Sequence, residues 1–304
     1  MRSSLVPRVL VTASLLLWVA ASSQQINAEN LLLKKNGWQL ENLKGRVKAL
    51  EVKSYKVDHG DPQNPVQVLQ QTVTSLYNEK GLLLSKQTVN SVKVFENRKL
   101  TVKQYLDSVT LHYNSQDQLV SEKKFVGVLD EPMDSAKATK TEYQYIDGKI
   151  SVSDYNNFGK LSSSYEYFPE KGSSTVRAVR TSYGGSATNK REEFIYSYNV
   201  AKQLHKVQAS RNEQITGIQE FQYSGKNLTK KSYQSGTSLD AGGSEYKYNQ
   251  QGDISSEIQF SSRSGAEVTD FVYTYDRQKN WTKKEKKDKA GKLMGAEERK
   301  ITYY

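Results

Sequence analysis

Cysteine is absent from this 304-residue chain. That excludes disulfides, thiolate metal sites, cysteine nucleophiles and a lipid-bearing cysteine behind an export signal. Small secreted animal domains lean on disulfides, so the absence points to a bacterial periplasm or surface. Histidine is scarce: His59, His112 and His205 have no ligand-spaced neighbour, and His112 and His205 read as sheet-surface residues, so no metal and no cofactor is expected. Hydrophobic residues make up 36% and mean hydropathy is −0.74, which excludes a thick apolar core. Beyond the N-terminus no run approaches the ~18–20 apolar residues of a spanning helix. GxSxG, HExxH and phosphate-cradling glycine motifs are missing as well.

The first residues are rich in what the rest lacks. Arg2 and Arg8 flank and precede the short apolar run Val9–Ala21, and small residues follow. This predicts an export signal over 1–23, with cuts after Ala21, Ser23 or Ala28. Residues 24–46 read as a lead-in with a helical turn or two, broken by Gly37 and Gly45. Dropping Arg2 and Arg8 takes the net charge from +11 to +9, which suits a soluble or peripherally held envelope protein attracted to anionic surfaces. The densest basic stretch, 279–292, is interrupted by Glu285 and Asp288 and predicts a solvated strand and turn.

Tyrosine is the residue in excess, at 20 copies. A disordered chain would be poor in aromatics, and a tyrosine buries its ring while its hydroxyl stays polar, which suits a thin ordered sheet. The tyrosines fall in a repeat: Tyr, Asn or Asp, two variable residues, Gly or a polar residue, one more, then Leu, Ile or Trp. Copies start at Tyr77, Tyr113, Tyr155, Tyr198, Tyr248 and Tyr275, and shortened ones at Tyr145 and Tyr223. Asn at the first turn position and Gly three residues later specify a type I turn with a glycine bulge. That geometry sets each tyrosine across from the residue six positions on: Tyr77 from Leu83, Tyr248 from Ile254. Asp117 and Lys202 stand where glycine belongs in their copies, predicting non-glycine residues at positive φ and looser corners. Alternation in FIYSY (194–198) and FVYTY (271–275) gives strands on both sides. Stretches 58–65, 130–136, 184–190 and 235–243 read as loops.

The motifs YNEKGLL, YNNFGKL, YNQQGDI and YDRQKNW resemble the YD-repeat class, related to the Rhs-type repeats of bacterial surface proteins. The resemblance covers residues 47–304, and the chain is similar to small exported YD-like proteins of Gram-negative bacteria that end in a strand, as ERKITYY does. It implies an all-β antiparallel meander of repeated hairpins in one domain, 47–304, forming an elongated or curled sheet. Full Rhs proteins form a toxin-enclosing shell; this chain is short for that role.

Chemistry is thin. Glu192–Glu193 and Glu297–Glu298 are adjacent on strands, so each pair points to opposite faces and cannot converge on one bond. No catalytic residue stands out and an enzyme is not expected. Asp107–Ser108–Val109 and Asp134–Ser135–Ala136 match a bacterial O-glycosylation pattern, and Asn227 and Asn280 open N-glycosylation triplets that a bacterium would not use. Two readings remain. The first is a non-enzymatic exported envelope scaffold with envelope glycans or surface proteins as partners, without nucleic acid or a transmembrane span. The second is a carbohydrate-binding module whose exposed face is Tyr246, Tyr248, Tyr273, Tyr275 and Trp281.

Overall fold

The computed structural model describes residues 36–60, 65–96, 99–129, 138–169, 172–184, 189–236 and 240–304. The expected export signal and the serine triplet at Asp134 lie outside the described residues. A helical turn, Gly37–Leu40, precedes eighteen strands. They are β1 (Val47–Asp58), β2 (Val66–Tyr77), β3 (Leu83–Glu96), β4 (Lys99–Tyr113), β5 (Leu119–Val128) and β6 (Thr139–Ile146). Next come β7 (Lys149–Tyr155), β8 (Leu161–Pro169), β9 (Thr175–Ser182), β10 (Lys190–Tyr198), β11 (Leu204–Arg211) and β12 (Gln214–Ser224). The last are β13 (Asn227–Ser235), β14 (Ala241–Tyr248), β15 (Ile254–Ser261), β16 (Gly265–Tyr275), β17 (Trp281–Asp288) and β18 (Leu293–Tyr303).

Each strand pairs antiparallel with the next, and β18 returns to β1 through Leu50↔Ile301, Val52↔Arg299 and Ser54↔Glu297. The meander is therefore a closed barrel, not the elongated or curled sheet expected from the repeat. Closure gives the first and last strands the backbone partners that an open sheet leaves unpaired.

The corner geometry follows the repeat. Tyr77 pairs with Leu83, Tyr113 with Leu119, Tyr155 with Leu161, Tyr198 with Leu204, Tyr248 with Ile254 and Tyr275 with Trp281. At Asn78 the side-chain oxygen accepts from the Lys80 and Leu82 amides while Gly81 N–H closes the turn on Asn78 O. Asp117 and Lys202 do sit at positive φ, 58° each. Their corners are not looser: in both, the next residue is a glutamine whose Oε1 accepts from the turn asparagine, Asn114 to Gln118 at 2.9 Å and Asn199 to Gln203 at 2.8 Å.

Beyond each corner lies a feature the repeat does not announce. The register slips by one residue, so Leu76 pairs with Ser85, Lys247 with Ser256 and Thr274 with Lys283. The bulged residue reverses the alternation down the following strand. In β15, Ile254 shares its face with Glu257 and Gln259, and Ile258 and Phe260 turn to the other side. Bulges also add twist at a barrel's rim, where closure needs it.

One face collects Leu50, Tyr77, Tyr143, Tyr167, Tyr196, Leu204, Phe221 and Trp281, all buried; this is the inner face. The opposite face carries exposed ion pairs such as Glu51–Lys53, Lys140–Glu142, Lys230–Glu245 and Lys283–Glu285. Stretch 235–243, read as a loop, becomes strand from Ala241. Its glycines serve close packing: a Cβ on Gly243 would stand 2.1 Å from Lys231 O. Gly37, expected to break the helical turn, begins it, and a Cβ there would meet the Tyr77 ring at 2.7 Å.

The corners built on even-to-odd hairpins share one rim, where the tyrosine hydroxyls have a common task. Tyr113 donates to Leu83 O at 2.9 Å, Tyr145 to Leu119 O at 3.1 Å and Tyr223 to Leu204 O at 2.8 Å. Tyr248 donates to Leu228 O and Tyr273 to Ile254 O, both at 2.7 Å. Between these hairpins the backbone ladder stops early, at Ser85↔Thr110, Ser121↔Glu142, Lys206↔Glu220, Lys230↔Glu245 and Ser256↔Asp270. The tyrosine stands three residues past the last pair each time, and its hydroxyl supplies the donor the ladder no longer provides. Tyr113→Phe and Tyr248→Phe should each lose ~1–3 kcal/mol, seen as a lower urea midpoint. Two unchanged midpoints would show that the hydroxyls are idle.

Candidate functional site

The five residues expected to form an exposed aromatic patch are on the inner face. Tyr273 stacks on Tyr275 with centroids 5.9 Å apart and meets Trp281 edge-on at 6.1 Å. Tyr248 and Tyr273 spend their hydroxyls on the rim ladder. Tyr275 Oη donates to Asp253 Oδ2 at 2.9 Å and accepts from Asn249 Nδ2 at 2.7 Å. Tyr246 is half-buried, and Trp281 is buried. The structure thus brings the patch together, but as packing between hairpins rather than as an outward row of rings.

Around Trp281 stands a charged cluster that the sequence did not single out. The Arg299 guanidinium lies 3.6 Å from the indole centroid and reaches Glu41 Oε2 at 3.4 Å; its side chain is 7% exposed. Burial holds Arg299 below its ordinary pKa, with Glu41 and Asp253 pulling it back. Lys284 Nζ sits 5.2 Å over the same indole and bonds Glu297 at 2.5 Å, while Lys286 reaches Glu297 at 2.8 Å. Burial pushes Lys284 down, and it pushes Glu297 up, but the two lysines outweigh it and leave Glu297 below the usual carboxylate value. The basic stretch is therefore not uniformly solvated: Lys283 and Lys287 pair outward with Glu285, and Lys284 turns in.

The lead-in closes this rim. Trp38 and Leu43 pack on Val47, Leu50 and Tyr77, and Trp38 Nε1 donates to Val47 O at 2.8 Å. Asn42 Nδ2 reaches Asp253 Oδ1 at 3.0 Å. Asn280, 1% exposed, accepts from the Lys44 amide and donates to Lys44 O, each at 2.8 Å, and donates to Tyr303 Oη. Gly45, at φ +77°, turns the chain from this cap into β1.

Further along the inner face is a polar cavity of about 630 Å³ whose lining includes Ser54, Gln71, Asn90, Tyr105, Lys286 and Glu297. Gln71 Nε2 donates to Asn90 Oδ1 at 2.7 Å. Amides, hydroxyls and one phenol ring line it beside the Lys286–Glu297 ion pair, a largely hydrogen-bonding surface. Glu192 and Glu193 do point to opposite faces, the first to Arg180 and Arg211, the second to Arg177. His59 and His205 contact the Leu293 and Ser197 carbonyls, and no cluster of metal-ligating side chains occurs among the described residues.

Burial sets the alkaline limit of the fold. It pushes Tyr113, Tyr145, Tyr165, Tyr275 and Tyr303 from 10.0 up to about 12. An acid whose folded pKa is raised favours the folded state in its neutral form, so the unfolded chain releases these protons first. Stability should be level below pH 10 and fall between pH 10 and 12. Urea midpoints against pH, with tyrosinate absorbance recorded alongside, test this; a midpoint that holds through pH 12 would contradict the burial of these phenols.

No family model matches the chain, and no curated protein matches it. Among solved structures it is similar to a porin-like protein from Bacteroides uniformis, at 14% identity and a TM-score of 0.41, covering 85% of this chain and 99% of that one. It also aligns with the Tc holotoxin pore of Photorhabdus luminescens, at 9% identity and a TM-score of 0.17, covering 81% of this chain and 18% of that one. Both are distant. The YD-repeat resemblance rests on the sequence motif alone.

Proposed function

We propose that the chain is an exported, non-enzymatic protein of a Gram-negative envelope whose closed barrel stands in water as a scaffold for other envelope components. The observation carrying this reading is the outward face. Lys53, Lys140, Arg177, Lys230 and Lys283 sit on it, each within a strand and paired to a carboxylate, Lys53 and Lys230 near the middle of theirs. A bilayer-embedded barrel needs an outward apolar band, and Lys or Arg near the midplane costs ~2–4 kcal/mol apiece. No helix among the described residues is long and apolar enough to cross a membrane. Cell fractionation with surface proteolysis tests the reading. The protein should leave envelopes with carbonate or high salt; a protein released by detergent alone would overturn it.

A second reading, glycan binding, is favoured by the amide- and hydroxyl-lined inner cavity rather than by the tyrosine row. A glycan array probed with the purified protein tests it, with Asn90→Leu as the control variant. Binding absent from the array, or unchanged in the variant, would end it.

A further inference from the structure

At the rim opposite the tyrosine corners the barrel wall parts. β2 and β3 are paired from Tyr77↔Leu83 to Gln71↔Asn90 and no further, although both strands continue. Residues 66–70 of β2 stay bonded to β1 through Tyr55↔Leu69 and Asp58↔Val66. Residues 91–96 of β3 stay bonded to β4 through Ser91↔Gln104 and Glu96↔Lys99. The cause lies in β2: the register slips between Ser54 and Tyr55, leaving Gln70 as a bulged residue, and a bulge re-aims the strand that carries it. Two strand edges thus face one another across a cavity of about 550 Å³ whose lining includes Val68, Leu69, Val92 and Val102. Leu69, Val92 and Val102 are 36, 42 and 63% exposed, so apolar side chains border the gap on both of its faces.

We propose that this gap receives an extended acidic and apolar peptide from another protein as an added strand. Each open edge offers the alternate N–H and C=O groups that its other neighbour leaves unused, and an inserted strand would satisfy both edges at once. The unpaired length of β2, five residues, spans about 17 Å at the usual strand rise and sets the length of the segment. Charge sets its composition. Lys56 and Lys93 border the cavity without an ion-pair partner among the described residues. Asp58 is turned to the Gly60 amide and His59 to Leu293 O. By register Leu69, Lys93 and Val102 lie on the outward face of the gap and Lys56, Val68 and Val92 on the inward one, so each face of the peptide would meet apolar side chains and one lysine that a carboxylate can pair. The inference is independent of where the protein resides and of whether it binds glycans.

The probe is a fluorescein-labelled six-residue peptide of alternating glutamate and valine, read by anisotropy on the purified protein. A peptide alternating lysine and valine is the charge control. Because the chain has no cysteine, Leu69→Cys and Val92→Cys together can be bridged selectively by a bis-maleimide, closing the gap. We expect saturable binding of the acidic peptide, at least tenfold weaker binding of the basic one, and at least a tenfold loss on bridging but not in the unbridged variant. Lys56→Glu with Lys93→Glu should reverse the charge preference. Urea midpoints of all variants confirm the barrel is intact. No binding by the parent protein, equal binding after bridging, or a dimer in sedimentation velocity that Val92→Asp dissociates would overturn the proposal, the last by assigning the gap to a second copy.

Discussion

Trp281→Ala should remove ~3–5 kcal/mol of stability, the range for deleting a large buried aromatic side chain. In a barrel of this size that corresponds to a fall of roughly 6–20 °C in melting temperature. Three contacts end together. Tyr273 loses the ring it meets edge-on, and Lys284 and Arg299 lose the π face beneath their charges. Arg299 fares worst, because its Nε is buried without a hydrogen-bond partner and only the nearby carboxylates of Glu41, Asp253 and Glu297 would be left to balance it. Trp281→Phe, which keeps an aromatic face, should lose much less. Phe158, on a corner at the other rim and 79% exposed, supplies the control: Phe158→Ala should leave the midpoint unchanged. If Trp281→Ala shifts the transition no more than Phe158→Ala, the indole is not the anchor of this cluster.

The local rule was legible and the global one was not. An asparagine, a glycine three residues on and an aliphatic residue after that are enough to fix Tyr77 opposite Leu83, because turn geometry is decided by the backbone preferences of those few residues. Closure of β18 on β1 is not written in any one repeat. It depends on twist summed over all the strands, to which bulges at residues such as Leu84, Ser255 and Thr282, which share no residue type, add. The same bulges invert the inward set on the arms that follow them, so Ile258 and Phe260 lie on the outer face. An unannounced corner shows the limit from the other side. Asp288 accepts from the Ala290 and Lys292 amides and Gly291 has φ +81°, as in the tyrosine corners, but the tyrosine position is Lys287, paired with Leu293. The turn survives without its aromatic mark because Asp288 and Gly291 alone satisfy its backbone.

The candidate patch was misread for a related reason. A tyrosine row is the same in sequence whether its rings face water or a neighbouring hairpin. What decides is the hydroxyl's partner, and for Tyr248 and Tyr273 that partner is a carbonyl about twenty residues earlier, on the preceding hairpin. Nor does any motif mark Arg299, Lys284 and Glu297 as a cluster, since they meet only through the β17–β18 register and the capping of this rim by the lead-in.

That capping makes the second large prediction. Asn280 holds the backbone of Lys44 by both its N–H and its C=O, in a site 1% exposed, so Asn280→Ala orphans two buried backbone groups at once. At ~1–3 kcal/mol for each, the loss is roughly 2–6 kcal/mol. A general loss of stability would not by itself locate the damage, so limited proteolysis supplies the second readout. Cleavage within residues 37–46 should become fast in Asn280→Ala under native conditions, while Tyr113→Phe, which weakens a different hairpin contact, should leave that segment protected. Asn280→Asp sharpens the test. A carboxylate still accepts from the Lys44 amide but cannot donate to Lys44 O, and it adds a second negative charge beside Asp276, so it should behave like alanine near neutral pH. Once protonated in mild acid it regains a donor, and part of the lost protection should return. An alanine variant that leaves 37–46 protected, or an aspartate variant indifferent to pH, would show that the cap is held by Trp38 and Leu43 packing alone and that the buried amide is incidental to it.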